Sequence, residues 1–245
     1  LIKFNKPIFC EKTGFVSLKE YEFLINLREK NKNKIYFNYN LLHSDFFTTF
    51  KKIYYTNKDK LIHFTIFAGN GIAYLNKFKK NWRLKSKNIL ERISGNIGVH
   101  YINFLMHFLG IPSELVVIEK NISSKILIDT SIINIKFKNG VSGSIILSYA
   151  APLIDDMIFL FSNKILKYSK NKLSIYQPRE TFNEKGYFIT PKKKKVYSFS
   201  NSTTEHSLRS SINYFLLKTL NKGKFEKKLF NNVVTTSKIL LSAKI

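Results

Sequence analysis

The chain of 245 residues predicts an α+β fold in two parts. Residues 1–40 read as a piece of a parallel-sheet domain, and residues 41–245 as a mostly antiparallel open sheet with helices packed on one face. Three observations carry this. The apolar run Ile8-Phe9-Cys10 and a second run over 35–39 flank a helical pattern, the order of a strand–helix–strand unit. Between about 114 and 200, short β-rich runs alternate with turn residues. The chain then closes with two helical stretches.

The elements follow in order. Residues 17–33 place Leu18, Tyr21, Leu24, Ile25 and Leu27 near one helical face, with Lys and Glu on the other. Ser17 stands at the cap and Glu20 three residues on, the pattern of a capping box. A strand is expected over 35–39. A second helix is expected over 43–55, striped with Phe46, Phe47, Phe50, Ile53 and Tyr54. Residues 61–68 read as a strand ending at Gly69-Asn70-Gly71, and a polar, aromatic loop with Trp82-Arg83 follows. Residues 96–109 form a helix stopped by Gly110 and Pro112. Strands are expected over 115–119, 132–137, 143–149, 157–161, 173–176 and 196–199, forming an antiparallel meander. Asn139-Gly140 supplies a hairpin turn within it. Helices over 207–221 and 229–245 end the chain, the last packing back on residues 1–40. No internal repeat or low-complexity linker interrupts this order.

Composition narrows the function classes. With 44% apolar and 15% aromatic residues, the chain can bury a sizeable core. No run of about 18 apolar residues is present, so no membrane span is expected. The opening residues do not read as a signal peptide, because Lys3, Asn5 and Lys6 break their apolar run. The one cysteine, Cys10, forbids an internal disulfide and suits a cytoplasmic protein. The net charge of +25 comes from 41 basic residues, of which five are Arg and the rest Lys scattered along the chain. Specific nucleic-acid readers favour arginine forks in one patch. We therefore expect no nucleic-acid partner, and read the run Lys192 to Lys195 as a solvated turn.

The helix over 96–109 carries the clearest site signal. Asn96, His100, Asn103 and His107 are spaced four, three and four apart and share one face. The rest of the helix is apolar, so this polar stripe must face either a wet cleft or a hydrogen-bond network. Gly98 in its first turns implies a close approach by backbone or ligand. His100 and His107 do not form a metal pair, since seven helical residues separate them by about 10.5 Å. No metal site is expected. Gly69-Asn70-Gly71 lacks the third glycine and the apolar helix of a dinucleotide fingerprint and reads as a turn. Asp155-Asp156 reads as an isolated acidic pair in a turn, without a partner site.

Three stretches together resemble the Gfo/Idh/MocA oxidoreductases (glucose–fructose oxidoreductase, inositol dehydrogenase and relatives). They are the strand running into Glu11-Lys12, the segment Asn38-Tyr39-Asn40, and the helix bearing His100. The family closes its nucleotide domain with Glu-Lys-Pro; here Thr13 replaces Pro. Its helix signature is D-x-G-x-H-x-x-D, leading to Gly-x-Pro. This chain keeps the frame from Asn96 to Asn103 and on to Gly110-Ile111-Pro112, with both acids changed to amides.

The resemblance implies that residues 1–40 are the remnant of a Rossmann-type domain. It implies NAD or NADP as cofactor, and a hydroxyl or carbonyl of a sugar, cyclitol or related polyol as the reacting group. It makes Lys12 and His100 catalytic. Asn96, Tyr39, Asn40 and Arg83 would bind substrate, and Glu11, Lys12 and Trp82 would bind cofactor. It also implies a homo-oligomer built through the sheet face. The family places a glycine-rich nucleotide-binding half before this lysine, and only eleven residues precede Lys12 here. Dinucleotide binding by these residues alone is therefore expected to be poor. The chain reads as the rear portion of a longer enzyme or as a decayed or repurposed relative. The competing reading is a non-catalytic interaction module derived from this family.

Overall fold

A computed structural model describes residues 5–56, 59–76, 88–124, 128–177, 182–199 and 203–244. Strands β1 (Ile8–Glu11) and β2 (Ile35–Asn38) pair in parallel, from Ile8 against Ile35 to Glu11 against Asn38. Helix α1 (Leu18–Ile25) lies between them in sequence. The Glu20 N–H donates to Ser17 Oγ at 3.3 Å, and Glu20 Oε2 accepts from the Val16 N–H at 2.8 Å. The helix expected over 17–33 is interrupted. Asn26, a residue that competes for the helix backbone, closes α1, and α2 (Glu29–Lys32) is a separate turn.

After β2, a 3₁₀ turn (Asn40–His43) leads to α3 (Asp45–Thr56). Ser44 caps α3 by accepting from the Phe47 N–H at 3.0 Å. The apolar stripe of α3 turns inward, with Phe46 and Phe50 each 1% exposed. Burying one such ring contributes about 1.5–3 kcal/mol.

Eight strands form the main sheet: β3 (Leu61–Gly69), β4 (Pro112–Lys120), β5 (Thr130–Phe137), β6 (Ser142–Ser148), β7 (Ile154–Phe161), β8 (Lys164–Ser169), β9 (Lys172–Tyr176) and β10 (Lys193–Ser198). Their order is β10-β9-β8-β7-β3-β6-β5-β4. The sheet is thus two antiparallel meanders rather than one. β3 lies between them, parallel to β6 and antiparallel to β7. A strand far back in the chain needs no hairpin to be inserted there, so the local pattern gave no sign of it.

Strand β8 was absent from the sequence expectation for a physical reason. Its inward positions are Lys164, Leu166 and Tyr168, so the apolar alternation is broken at its first residue. Lys164 is buried nevertheless, paired with Asp59 at 2.9 Å. At the Asn139-Gly140 turn, Gly140 takes φ +86°, a conformation that suits glycine.

One sheet face is filled by Ile133, Ile145, Leu147, Phe64, Ile66 and Phe159, all fully buried. Helix α4 (Val99–Leu109) covers it, with Phe104 stacked on Phe46 at 5.6 Å. The other face leaves Ile118, Ile132, Ile146 and Phe67 partly open in one cross-strand row. Helices α5 (Thr203–Leu220) and α6 (Lys227–Leu241) end the described chain. α6 packs on α4, α1 and β2; Ser237 Oγ donates to the Thr13 carbonyl at 2.5 Å, and Phe230 meets Phe37.

Candidate active site

The helix at the centre of the site does not begin as an α-helix. Ser94–Gly98 is a π turn that runs directly into α4. Such turns occur mostly as single insertions in helices, frequently at functional positions. A Cβ on Gly98 would stand 2.8 Å from Ile133 Cδ1, so the close approach implied by the sequence is to the sheet's inner face.

A cavity of 430 Å³ opens where β1, β3, β7, the 3₁₀ turn, α4 and the start of α5 meet. Lys12, Asn40, Asn96 and His100 all line it, although they come from three separate stretches of sequence. Lys12 extends from the end of β1, and its ammonium donates to two oxygens of Asn96, the carbonyl at 2.5 Å and Oδ1 at 2.6 Å. The Asn96 amide donates in turn to Tyr149 Oη at 2.6 Å. Asn40 donates to Ser207 Oγ at 2.9 Å, fixing the turn to α5.

His100 borders the cavity with its Nδ1 buried and without a hydrogen-bond partner among the described residues. Burial, then the charge of Lys12, pushes its pKa down to about 3. The ring is therefore neutral throughout the physiological range. The polar stripe of the helix is divided. Asn96 and His100 face the cavity, Asn103 donates to Thr236 Oγ1 at 3.3 Å, and His107 packs edge-on against Phe47. The stripe thus meets a cavity at Asn96 and His100 and a hydrogen bond at Asn103, while the buried Nδ1 of His107 has no hydrogen-bond partner among the described residues.

The other expected site residues are placed apart. Tyr39 is 2% exposed and lies beside the His100 ring at 5.5 Å, behind the cavity wall. Glu11 is exposed and accepts from Asn38 Nδ2 at 2.8 Å, outside the cavity lining. Trp82 and Arg83 lie outside the described residues. Among the described residues no group of His, Cys, Asp or Glu could hold a metal ion, and no helix is long and apolar enough to cross a membrane.

The structure adds lining residues that the sequence reading passed over, among them Asn70, Tyr101, Tyr168 and Asp155. Asp155-Asp156 is not an isolated pair in a turn: it opens β7, and Asp155 Oδ1 accepts from Tyr101 Oη at 3.0 Å. The pair's dependence on β3 and α4 made it invisible locally. One signal was available, since Tyr101 directly follows His100.

Residues 60–163 match the model of the GFO/IDH/MocA C-terminal domain. This stretch is a Gfo/Idh/MocA C-terminal domain. No curated protein matches the chain by sequence. Among solved structures, it is similar to a protein of Desulfitobacterium hafniense assigned as an NADPH-dependent oxidoreductase, at 15% identity and a TM-score of 0.79 over 99% of this chain and 70% of that one. It is also similar to a variant 3-ketoreductase of Actinomadura kijaniata in complex with TDP-benzene and NADP, at 13% identity and TM-score 0.75 over 98% and 70%. A myo-inositol dehydrogenase of Corynebacterium glutamicum follows at 12% identity and TM-score 0.70, over 98% and 70%. These likenesses show that the chain has the oxidoreductase fold of the Gfo/Idh/MocA proteins.

Proposed function

We propose that the cavity binds a sugar, cyclitol or related polyol, and that the chain serves an NAD- or NADP-dependent oxidation or reduction of one hydroxyl or carbonyl of that molecule. The observation that supports this most is the meeting of Lys12, Asn96 and His100 at one cavity. An ammonium, an amide and an imidazole around a polar hollow suit a carbon–oxygen bond changing between alcohol and carbonyl. The residues also fit the nicotinamide end of the cofactor. Lys12 and Asn40 offer an ammonium and an amide to hydroxyl or carboxamide groups, and the unpartnered His100 Nδ1 shows that the wall beside them is not internally satisfied. When bound, the nicotinamide would accept or supply hydride.

The chain's own residues would handle the oxygen and its proton. In the reductive direction Lys12, held by Asn96, gives a proton to the oxygen of the carbonyl whose carbon takes hydride; in the oxidative direction the hydroxyl proton would return to the Lys12 amine. His100 enters as a neutral acceptor that orients the hydroxyl. With Asn rather than Asp at position 96, the residue that holds Lys12 carries no charge to stabilise an imidazolium, so the charged partner of the reaction is Lys12.

A second reading, an interaction module without chemistry, draws on the open sheet face. Its row Ile118, Ile132, Ile146 and Phe67 is suited to a second copy of the chain in the cytoplasm. The test is turnover by the protein as its own organism produces it. NAD(H) and NADP(H) would each be supplied with a panel of sugars, cyclitols and their keto forms, alongside sedimentation to read the oligomeric state. We expect turnover that Lys12→Met lowers at least about 100-fold. A self-associating protein that turns over no member of the panel would replace the first reading by the second.

A further inference from the structure

Asp155 supplies a group that the proposed chemistry does not use. It opens β7, and its side chain lines the same cavity as Lys12 and His100. Its Oδ1 is tied to Tyr101 Oη at 3.0 Å. Tyr101 is 8% exposed and sits one residue after His100 on α4, so the tether comes from the reacting helix itself. Asp155 Oδ2 has no hydrogen-bond partner among the described residues. Burial raises the carboxyl's pKa, with neighbouring Asp156 adding to this and the Tyr101 hydrogen bond opposing it.

A partly buried carboxylate with one oxygen uncommitted is costly until a donor reaches it. Tyr101 satisfies one oxygen and leaves the other for a ligand. The remaining polar lining among the described residues includes Asn40, Asn70 and Ser44, which are amide or hydroxyl groups, with Lys12 as the one cation. Asp155 and Lys12 thus present opposite chemistry: an acceptor for hydroxyl protons and a donor for the reacting oxygen.

The geometry points to Asp155 as a specificity-determining residue, held by Tyr101, that accepts a hydrogen bond from a second hydroxyl of a neutral polyol and disfavours substrates bearing an acid group there. This rests on reading the cavity as a polyol site. A carboxylate accepts only, so a hydroxyl completes it, whereas a substrate carboxylate or phosphate meets a like charge. A hydrogen bond to a charged group changes binding by about 10- to 100-fold.

The experiment compares the native full-length protein with Asp155→Asn and Tyr101→Phe, using calorimetric titration and steady-state turnover. The probes are myo-inositol, D-glucose and D-sorbitol, with D-gluconate and D-glucuronate as their acid counterparts. In Asp155→Asn the amide oxygen still accepts from Tyr101, so the fold is kept. We expect it to bind neutral polyols about 10- to 100-fold more weakly and to narrow the preference over the acids, with KM raised and kcat changed by less than about threefold. Tyr101→Phe keeps the charge but releases the tether, and is expected to lose affinity by a smaller factor; it carries the test if Asp155→Asn does not fold. If the wild type binds and turns over neutral polyols, and the variants keep its affinity and its neutral-to-acid ratio, this inference fails while the proposed function stands. A wild type that binds none of the probes would overturn both.

Discussion

Acidification from pH 7 to pH 4 should destabilise this protein through His100, by an amount that can be isolated. An exposed histidine has a pKa of about 6.5. Burial, then the charge of Lys12, holds His100 down to about 3 in the folded chain. Between those values the unfolded state binds the proton and the folded state does not. Stability from this group is therefore complete above the unfolded value and is lost as pH falls below it. At about 1.36 kcal/mol per pH unit, the loss between pH 7 and pH 4 is about 3 kcal/mol. The ring borders an open cavity, and screening there lowers the expected figure to about 2 kcal/mol. That is a large share of the roughly 5–15 kcal/mol that holds a domain folded. Asp155 acts in the opposite sense. Its carboxyl is raised by burial, so the folded state binds the extra proton, and its contribution falls as pH rises through that window. Urea unfolding of wild type and His100→Gln at pH 7 and pH 4 removes this and every other shared group by subtraction. The wild type should lose about 2 kcal/mol more than the variant over the interval. Equal losses within about 0.5 kcal/mol would show that His100 titrates alike folded and unfolded, and the account of the site as an enforced neutral imidazole would fail.

Two further perturbations test the site and its support. Asn96→Asp places a carboxylate on Lys12 beside His100 and should raise the histidine's pKa by about one to three pH units, read by NMR titration of labelled imidazole; an unmoved resonance would show that Lys12 and position 96 do not act on the ring. Gly143→Ala should cost at least about 2 kcal/mol more in denaturant unfolding than Gly98→Ala. The new Cβ at 143 would lie 2.2 Å from the Phe64 carbonyl oxygen, whereas at 98 it would meet the movable tips of Ile133 and Leu147 at 2.8 and 3.0 Å. The reverse order would contradict the close pairing of β3 and β6.

Much of the fold was legible because its signals are local. The inward alternation of β5 and β6, the Asn139-Gly140 turn, the Phe stripe of α3 and the Gly110 stop each declare themselves within a few residues. The insertion of β3 between β6 and β7 was not legible, because parallel pairing is specified by partners some eighty residues away. Strand β8 was lost because Lys164 occupies a core position that only Asp59, remote in sequence, makes tolerable.

The site divides along the same line. His100 and Asn96 share a helix face, so spacing alone brought them together, whereas Lys12 entered only through the resemblance of Glu11-Lys12 to the family's motif. Asp155 could not be read this way. In sequence it is one of two adjacent acids after Pro152-Leu153-Ile154, indistinguishable from a solvated turn. Its meaning comes from Tyr101, fifty-four positions earlier, whose buried hydroxyl needs an acceptor and finds one only because β7 pairs with β3 and passes the start of α4. Buried polar groups obtain their partners from tertiary structure, since a local partner would have drawn the chain into a turn instead. The sheet order that escaped the sequence reading is therefore also what carries the carboxylate to the cavity. The position of β3 thus sets both the order of the sheet and the place of the Asp155 carboxylate.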